Sequence, residues 1–389
     1  MQFWYLSLNL APHSSTQMHI GRLLALIGMG FVAAACSRSR GPIQIGLAGP
    51  FGDARGTAMR HGAELALAEL NARGGVRGRQ LELAVADDSG SEDTAVRVAQ
   101  QLYANRDVVA VIGHLASGTS LSAAQVYGAD PTPLVMVTPS ATSPDLSGVS
   151  PYVFRLCPTD IRYGTALARF ARQSLGAERA GILFTSNAYG RGFRNTFRSE
   201  FVALGGKVIE EDPYIPAIFS IEPYLTHLNR AGIDVLVLAV EAGGSEMTLR
   251  QIRALGAHWR VLGGDALAGI ESAGDVAEGV QLPAAYLPDA PGARNSAFVA
   301  AYAKAYPGER PDSRSAGAYD AVNLIARAIE ARGADREEIR DYLAGMGRRV
   351  PPLEGVTGRI SFDSSGDVPV KDVVIGMVHN GRLVMEHGK

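Results

Sequence analysis

Only two cysteines, Cys36 and Cys157, occur in the 389 residues, which excludes a disulfide framework and leaves no cysteine pair with metal-ligand spacing. The eight histidines are scattered through the chain, so no metal site is expected. Neither sign of charge is in excess. Against 37 Lys and Arg stand 39 Asp and Glu, for a net charge of -2; no polyanion-binding surface is implied, and nucleic acid is not an expected partner. No short-period repeat or low-complexity tract interrupts the pattern, and the apolar run Leu23 to Val32 is too short to span a bilayer comfortably.

That run has a different reading. His19 and Arg22 precede it, and it passes through Ala33-Ala34-Ala35 to Cys36, the order of an export signal followed by small residues. Ala33 to Cys36 resembles the lipobox of bacterial lipoproteins, in which the cysteine is lipidated and becomes the first mature residue, although leucine is more usual at the place of Ala33. A plain signal peptide, or a buried helix that happens to hold a cysteine, are the alternatives. Residues 1–17 do not look like an n-region, which leaves Met18 as an alternative start. The expected order is a signal peptide over 1–35 and a tether over 36–42.

From Ile43 onward strand and helix patterns alternate. Ile43 to Ala48, Leu81 to Ala86, Val108 to Ile112 and Pro133 to Val137 read as buried strands, with helices at Ala58 to Asn71 and Glu92 to Ala104. The rhythm then restarts. Helices at Arg162 to Leu175, Gly190 to Leu204 and Met247 to Leu255 alternate with strands at Ala180 to Phe184, Val235 to Val240 and Val261 to Leu262. Later helices, Ser296 to Ala305 and Ala318 to Ala331, and strands at Gly358 to Phe362 and Val373 to Val378 complete the chain. Such order implies parallel strands joined by right-handed crossovers with helices on both faces. The fold class is therefore α/β, two doubly wound lobes, in keeping with a length beyond one ordinary core.

In an open parallel sheet, ligands bind outside the carboxyl ends of the strands. Three loops lie at such ends: Gly113-His114-Leu115-Ala116-Ser117-Gly118-Thr119-Ser120, Thr138-Pro139-Ser140-Ala141-Thr142 and Gly263-Gly264-Asp265. The first has no lysine for a phosphate loop. It has neither a Gly-x-Ser-x-Gly elbow nor a Ser-x-x-Lys pair for a nucleophile. Two readings stay open for it: a helix N-terminus whose N–H groups and hydroxyls receive a carboxylate, or plain helix capping.

The ordered set Arg60 to Leu67, Leu70 to Gly78, Asp87-Asp88, Val111 to His114, Pro139 to Pro144 and Tyr189 to Gly192 resembles the branched-chain amino acid binding proteins of ABC importers, which are class I periplasmic binding proteins. The resemblance covers the chain from Ile43 onward. It implies two Rossmann-like lobes joined by a three-strand hinge, with crossings near Cys157, Tyr286 and Arg359. Lobe 1 is then 43–157 plus 287–358, and lobe 2 is 158–286 plus 359–389. It also implies a ligand carboxylate held by Ser117 and the Ser140-Ala141-Thr142 loop, through Thr142 and the backbone of Ala141. Asp265, where glutamate is common, would meet the ammonium, and Tyr189 would lie against the ligand. Arg55, Glu241 and Ala316 fall where aromatic walls are usual; Arg55 and Glu241 either serve a polar ligand or pair with each other at the cleft rim. Ser89 and Ala116 stand where some relatives carry a disulfide, which makes Cys157 a small buried hydrophobe near a hinge.

The function so implied is capture and release of an amino acid or related small molecule by closure of the lobes. No bond is broken and no cofactor is needed. The expected partners are that ligand and an ABC permease, for a monomer held outside the cytoplasm at a bacterial membrane only by its lipid. A ligand-sensing envelope lipoprotein of the same fold is the alternative.

Overall fold

All five residues of Val108–Ile112 are apolar and buried, as a strand covered on both faces requires, and they form the middle of a parallel sheet. The computed structural model describes residues 41–386 except 130–131, 215–219 and 244; the expected signal peptide and Cys36 lie outside the described residues. The first sheet takes β1 (Ile43–Gly49), β2 (Leu81–Asp87), β3 (Val108–Ile112), β4 (Val135–Thr138) and β5 (Val153–Arg155), with α1 (Ala54–Ala72), α2 (Glu92–Ala104) and α3 (Ser117–Tyr127) between them. Its order is β2-β1-β3-β4-β5, and every pair is parallel.

The second sheet follows α4 (Asp160–Arg169) and consists of β6 (Arg179–Thr185), β7 (Lys207–Tyr214), β8 (Val235–Ala239), β9 (Arg260–Gly263) and β10 (Gln281–Ala284), connected by α5 (Ala188–Ala203), α6 (Glu222–Ala231) and α7 (Ser245–Ala254). Phe193, Phe197 and Phe201 recur every four residues along α5 and are fully buried; each contributes about 1.5 to 3 kcal/mol by leaving water. Next come α8 (Ala293–Ala305), α9 (Ser313–Arg332), α10 (Arg336–Gly345) and the hairpin of β11 (Leu353–Gly355) and β12 (Gly358–Ile360). Finally β13 (Val374–His379) and β14 (Arg382–Met385) extend the second sheet to β14-β13-β10-β9-β8-β6-β7, β13 joining β10 antiparallel.

The chain passes between the two sheets three times. The first passage follows β5 and the second follows β10. The third lies later than Arg359, because Ile360, Phe362 and Val368 still pack in the core of the first sheet, with Met59 and Ala63 of α1 and Ile325 of α9. Lys371 ties the passages together. Its buried ammonium donates to the Leu156 carbonyl at 2.7 Å and to Thr357 Oγ1 at 2.8 Å, and Thr357 in turn donates to the buried carboxylate of Asp320.

Candidate functional site

Strand order decides where a crevice can open. In the first sheet β2 lies to one side of β1 and β3 to the other; in the second, β7 and β8 flank β6 in the same way. Loops leaving strands on either side of such a reversal diverge and leave a gap at the carboxyl ends. Arg55 follows β1, Ser117 follows β3, and Ser140 and Thr142 follow β4. From the second sheet, Tyr189 follows β6, Glu241 follows β8 and Asp265 follows β9. All seven line one small cavity of ≈ 30 Å³, together with Arg314 at the start of α9.

The loop after β3 is built for close approach. Gly113 has φ 127°, and a Cβ there would lie 2.1 Å from the carbonyl oxygen of Ala48 on the neighbouring strand, so only glycine fits. His114 is buried below, its Nδ1 2.6 Å from Asp88 and its Nε2 3.1 Å from the Tyr127 hydroxyl. Those contacts leave His114 tied to the scaffold rather than to Ser117. The N-cap of α3 is Ala116, without a side-chain cap. The hydroxyls beyond it go elsewhere: Thr119 donates to the Ala116 carbonyl and Ser120 to the His114 carbonyl. Ser117 Oγ accepts from the Ser143 N–H at 3.1 Å, which leaves its own proton for an acceptor in the cavity. Thr119 and Ser120 thus serve the loop itself, while the helix presents a positive N-terminal end beside the Ser117 hydroxyl.

Ala141 is engaged on both sides of its peptide unit. Its N–H donates to Thr138 Oγ1 at 3.1 Å, and its carbonyl accepts from Arg155 and Cys157. It holds the loop, while Ser140 and Thr142 on either side supply the cavity wall. The buried Arg155 also bonds Ser143, Ser147 and Asp367, so the loop has little freedom. Burial pushes the Cys157 thiol up to about 12, against the pull of Arg155, so it carries no thiolate at neutral pH.

Asp265 supplies the opposite charge. It begins a short helical turn after Gly263-Gly264, and one of its buried carboxylate oxygens, Oδ1, has no hydrogen-bond partner. Burial pushes its carboxyl up to about 7, with Arg314 and the Tyr189 hydroxyl pulling the other way. Tyr189 reaches this loop because residue 264 is glycine: a Cβ there would lie 2.2 Å from the phenol oxygen. The same oxygen accepts from the Ala266 N–H at 3.2 Å. Ala316 lies fully buried on α9, in an aromatic cluster with Phe298 and Tyr302, and is not part of the cavity wall.

Of the two readings of Arg55 and Glu241, the structure places them as a pair. Arg55 Nη1 lies 2.9 Å from Glu241 Oε2, the side chains being 23% and 29% exposed, and Arg55 also bonds Asp53. Burial works against the Arg55 charge, but Glu241 and Asp53 outweigh it and hold the group above its ordinary value. Among the described residues no cluster of His, Cys, Asp and Glu has the makings of a metal site, and no helix is long and apolar enough to cross a membrane.

Two residues here escape a reading of motifs. Arg314 is 4% exposed, bonds Asp312 at 2.9 Å and donates across the cleft to the Ala268 carbonyl at 3.1 Å. Its signal was the capping box Asp312 to Ser315, which starts the helix five residues before Ala318. Asp160, at the first turn of α4, is fully buried with neither carboxylate oxygen hydrogen-bonded. Burial holds its carboxyl well above the ordinary range, the Asp265 charge acting the same way and nearby Thr142 and Arg155 opposing.

The sequence profile of the periplasmic binding protein family matches residues 42–382. A leucine-, isoleucine-, valine-, threonine- and alanine-binding protein of Pseudomonas aeruginosa is 29% identical over 371 residues, covering 92% of this chain and 95% of its own. Among solved structures, an ABC transporter substrate-binding protein from Desulfitobacterium hafniense in complex with Leu is 31% identical at a TM-score of 0.76, covering 89% of this chain and all of its own. A leucine-binding protein from Thermotoga maritima is 28% identical at a TM-score of 0.80, over 89% and 98% of the two chains. These relatives are solute-binding proteins, not enzymes. The match along nearly the whole folded chain, on one parallel and one mostly parallel sheet whose switch points share one cavity, shows that this chain belongs to the periplasmic binding protein family, with the type I fold of ABC transporter substrate-binding proteins.

Proposed function

We propose that this protein captures an α-amino acid or a closely related zwitterion between its lobes and presents it to the permease of an ABC importer. The observation that carries this reading is the pairing of opposite chemistries at one cavity. The Ser117 hydroxyl and the N-terminus of α3 face an acceptor, and from the other sheet Asp265 brings a buried carboxylate oxygen with no partner. A ligand carrying carboxylate and ammonium on one carbon satisfies both and draws the lobes together. The relatives named for leucine and other amino acids support the same class. Lipidation at Cys36, with the protein outside the cytoplasm, completes the proposal and rests on the Ala33 to Cys36 box.

Calorimetry with L-leucine and its deaminated analogue 4-methylpentanoate tests it. Removing one partner of a buried charge pair costs about 3 to 5 kcal/mol, so Asp265→Ala weakens leucine by at least about two orders of magnitude. Ser117→Ala weakens it by about one. The analogue binds wild type poorly and loses little more in Asp265→Ala. Equal leucine affinity in Asp265→Ala and wild type overturns the assignment.

A further inference from the structure

Beside the cavity of ≈ 30 Å³ lies another of ≈ 610 Å³, and Ser140, Asp265, Ala266 and Arg314 belong to the walls of both. The first has room for the head of an amino acid and little else. The second falls within the range of about 300 to 1,000 Å³ typical of whole ligand pockets. It runs from Asp265 between Thr57 and Ala58 of α1 and Ala268 of the second lobe, toward Tyr286 and Lys371 at the passages between the sheets. A leucine side chain would leave most of it to water.

Its polar walls limit what can lie there. The Tyr286 hydroxyl is buried, the residue being 7% exposed, and has no hydrogen-bond partner; a buried donor left in that state is costly. Lys371 gives two of its three protons to Leu156 and Thr357. Apart from Asp265 at the head end, the acids Asp312, Glu271 and Glu309 along this cavity are already engaged. Asp312 accepts from Arg314 and caps α9, Glu271 accepts from the Gly269 N–H, and Glu309 contacts His61 and Tyr302. What the far wall offers is donors and positive charge.

Resting on the zwitterion reading above, we infer that the ligand is an α-amino acid with a side chain several bonds longer than that of leucine, ending in a neutral hydrogen-bond acceptor that meets Tyr286. The small cavity holds the head common to all amino acids, and the large one selects by length and by the chemistry of the far end. A cationic end is disfavoured by Lys371, whereas an amide carbonyl satisfies the phenol.

Titration calorimetry with Nε-acetyl-L-lysine, L-lysine and L-leucine tests this. The additional buried methylenes and the amide make Nε-acetyl-L-lysine at least about tenfold tighter than either of the others. Tyr286→Phe removes the hydroxyl but keeps the ring, and weakens Nε-acetyl-L-lysine by about 3- to 10-fold with leucine unchanged. Ala58→Trp fills the large cavity and excludes the long ligand only. Nε-acetyl-L-lysine binding no tighter than leucine, or a Tyr286→Phe effect equal for both, overturns the inference while leaving the head assignment intact. If none of the three binds, or if Asp265→Ala binds leucine like wild type, the zwitterion reading fails and this inference falls with it.

Discussion

Ligand affinity should depend steeply on pH through Asp265, and the direction follows from its burial. The carboxyl is raised from 3.8 to about 7, so the folded, ligand-free protein holds a proton there that the unfolded chain has released. As pH rises from about 4 to 7 the folded state loses that advantage. At roughly 1.36 kcal/mol per unit, ionising Asp265 in the empty site costs on the order of 4 kcal/mol, complete above pH 7. A ligand ammonium requires the ionised form and offsets the cost, so binding below pH 7 must expel a proton. The dissociation constant then rises about tenfold for each unit below 7, nearly two orders of magnitude between pH 8 and pH 5. Calorimetry in buffers of different ionisation enthalpy gives both the constant and the number of protons released, which should approach one at pH 5 and none at pH 8. Arg314 opposes the shift, and the neighbouring groups are Tyr189, Tyr163 and Asp160, with the Arg55 to Glu241 pair at the rim. Asp160→Asn must therefore leave the slope in place, whereas Asp265→Asn must abolish it and raise the melting temperature of the ligand-free protein at pH 8. A wild-type dissociation constant that is flat from pH 5 to 8 refutes the reasoning.

Gly264→Ala should weaken the ligand without unfolding the protein, because the new Cβ would clash with the far end of Tyr189, at 2.2 Å, and make an ordinary contact of 3.4 Å with Phe193; circular dichroism beside calorimetry separates the two effects. A double-mutant cycle on Arg55→Ala and Glu241→Ala should give a coupling of about 0.2 to 1 kcal/mol, since the pair is part-exposed; a larger value would make the pair more than a rim contact. On the proposed lipidation, Cys36→Ala should release the protein from the membrane fraction, because each buried acyl methylene contributes about 0.8 kcal/mol; undiminished retention would refute the anchor.

The regular parts of the fold were the legible ones. A run such as Val108–Ile112, buried at every position, or the helix Glu92–Ala104 with Ser91 as its cap, carries its period and its stop signals locally. The strands Val153–Arg155 and Gln281–Ala284 do not: they are three and four residues long, the second contains Pro283, and only their sheet neighbours make them strands. The edge strand Lys207–Tyr214 carries three acidic residues and a proline, a composition that fits an edge and hides the strand. At the site, hydroxyls and a carboxylate after strand ends were visible as types. Whether Arg55 would meet a ligand or Glu241 depended on the distance between two loops some 180 residues apart, which no local pattern encodes. The engagement of Ala141 was equally hidden, because a backbone N–H has no sequence signature and its partner here is Thr138.

Seven residues of the small cavity come from six separate connections, each leaving a different strand, while the two sheets beneath share none of them. If these residues set the choice of ligand, as proposed, that choice can change one loop at a time: Asp265, Arg55 and Glu241 all lie outside the strands. On the proposed function the scaffold bears the burden of folding and the loops bear that of recognition, so a new ligand can be reached by small steps that keep the chain intact.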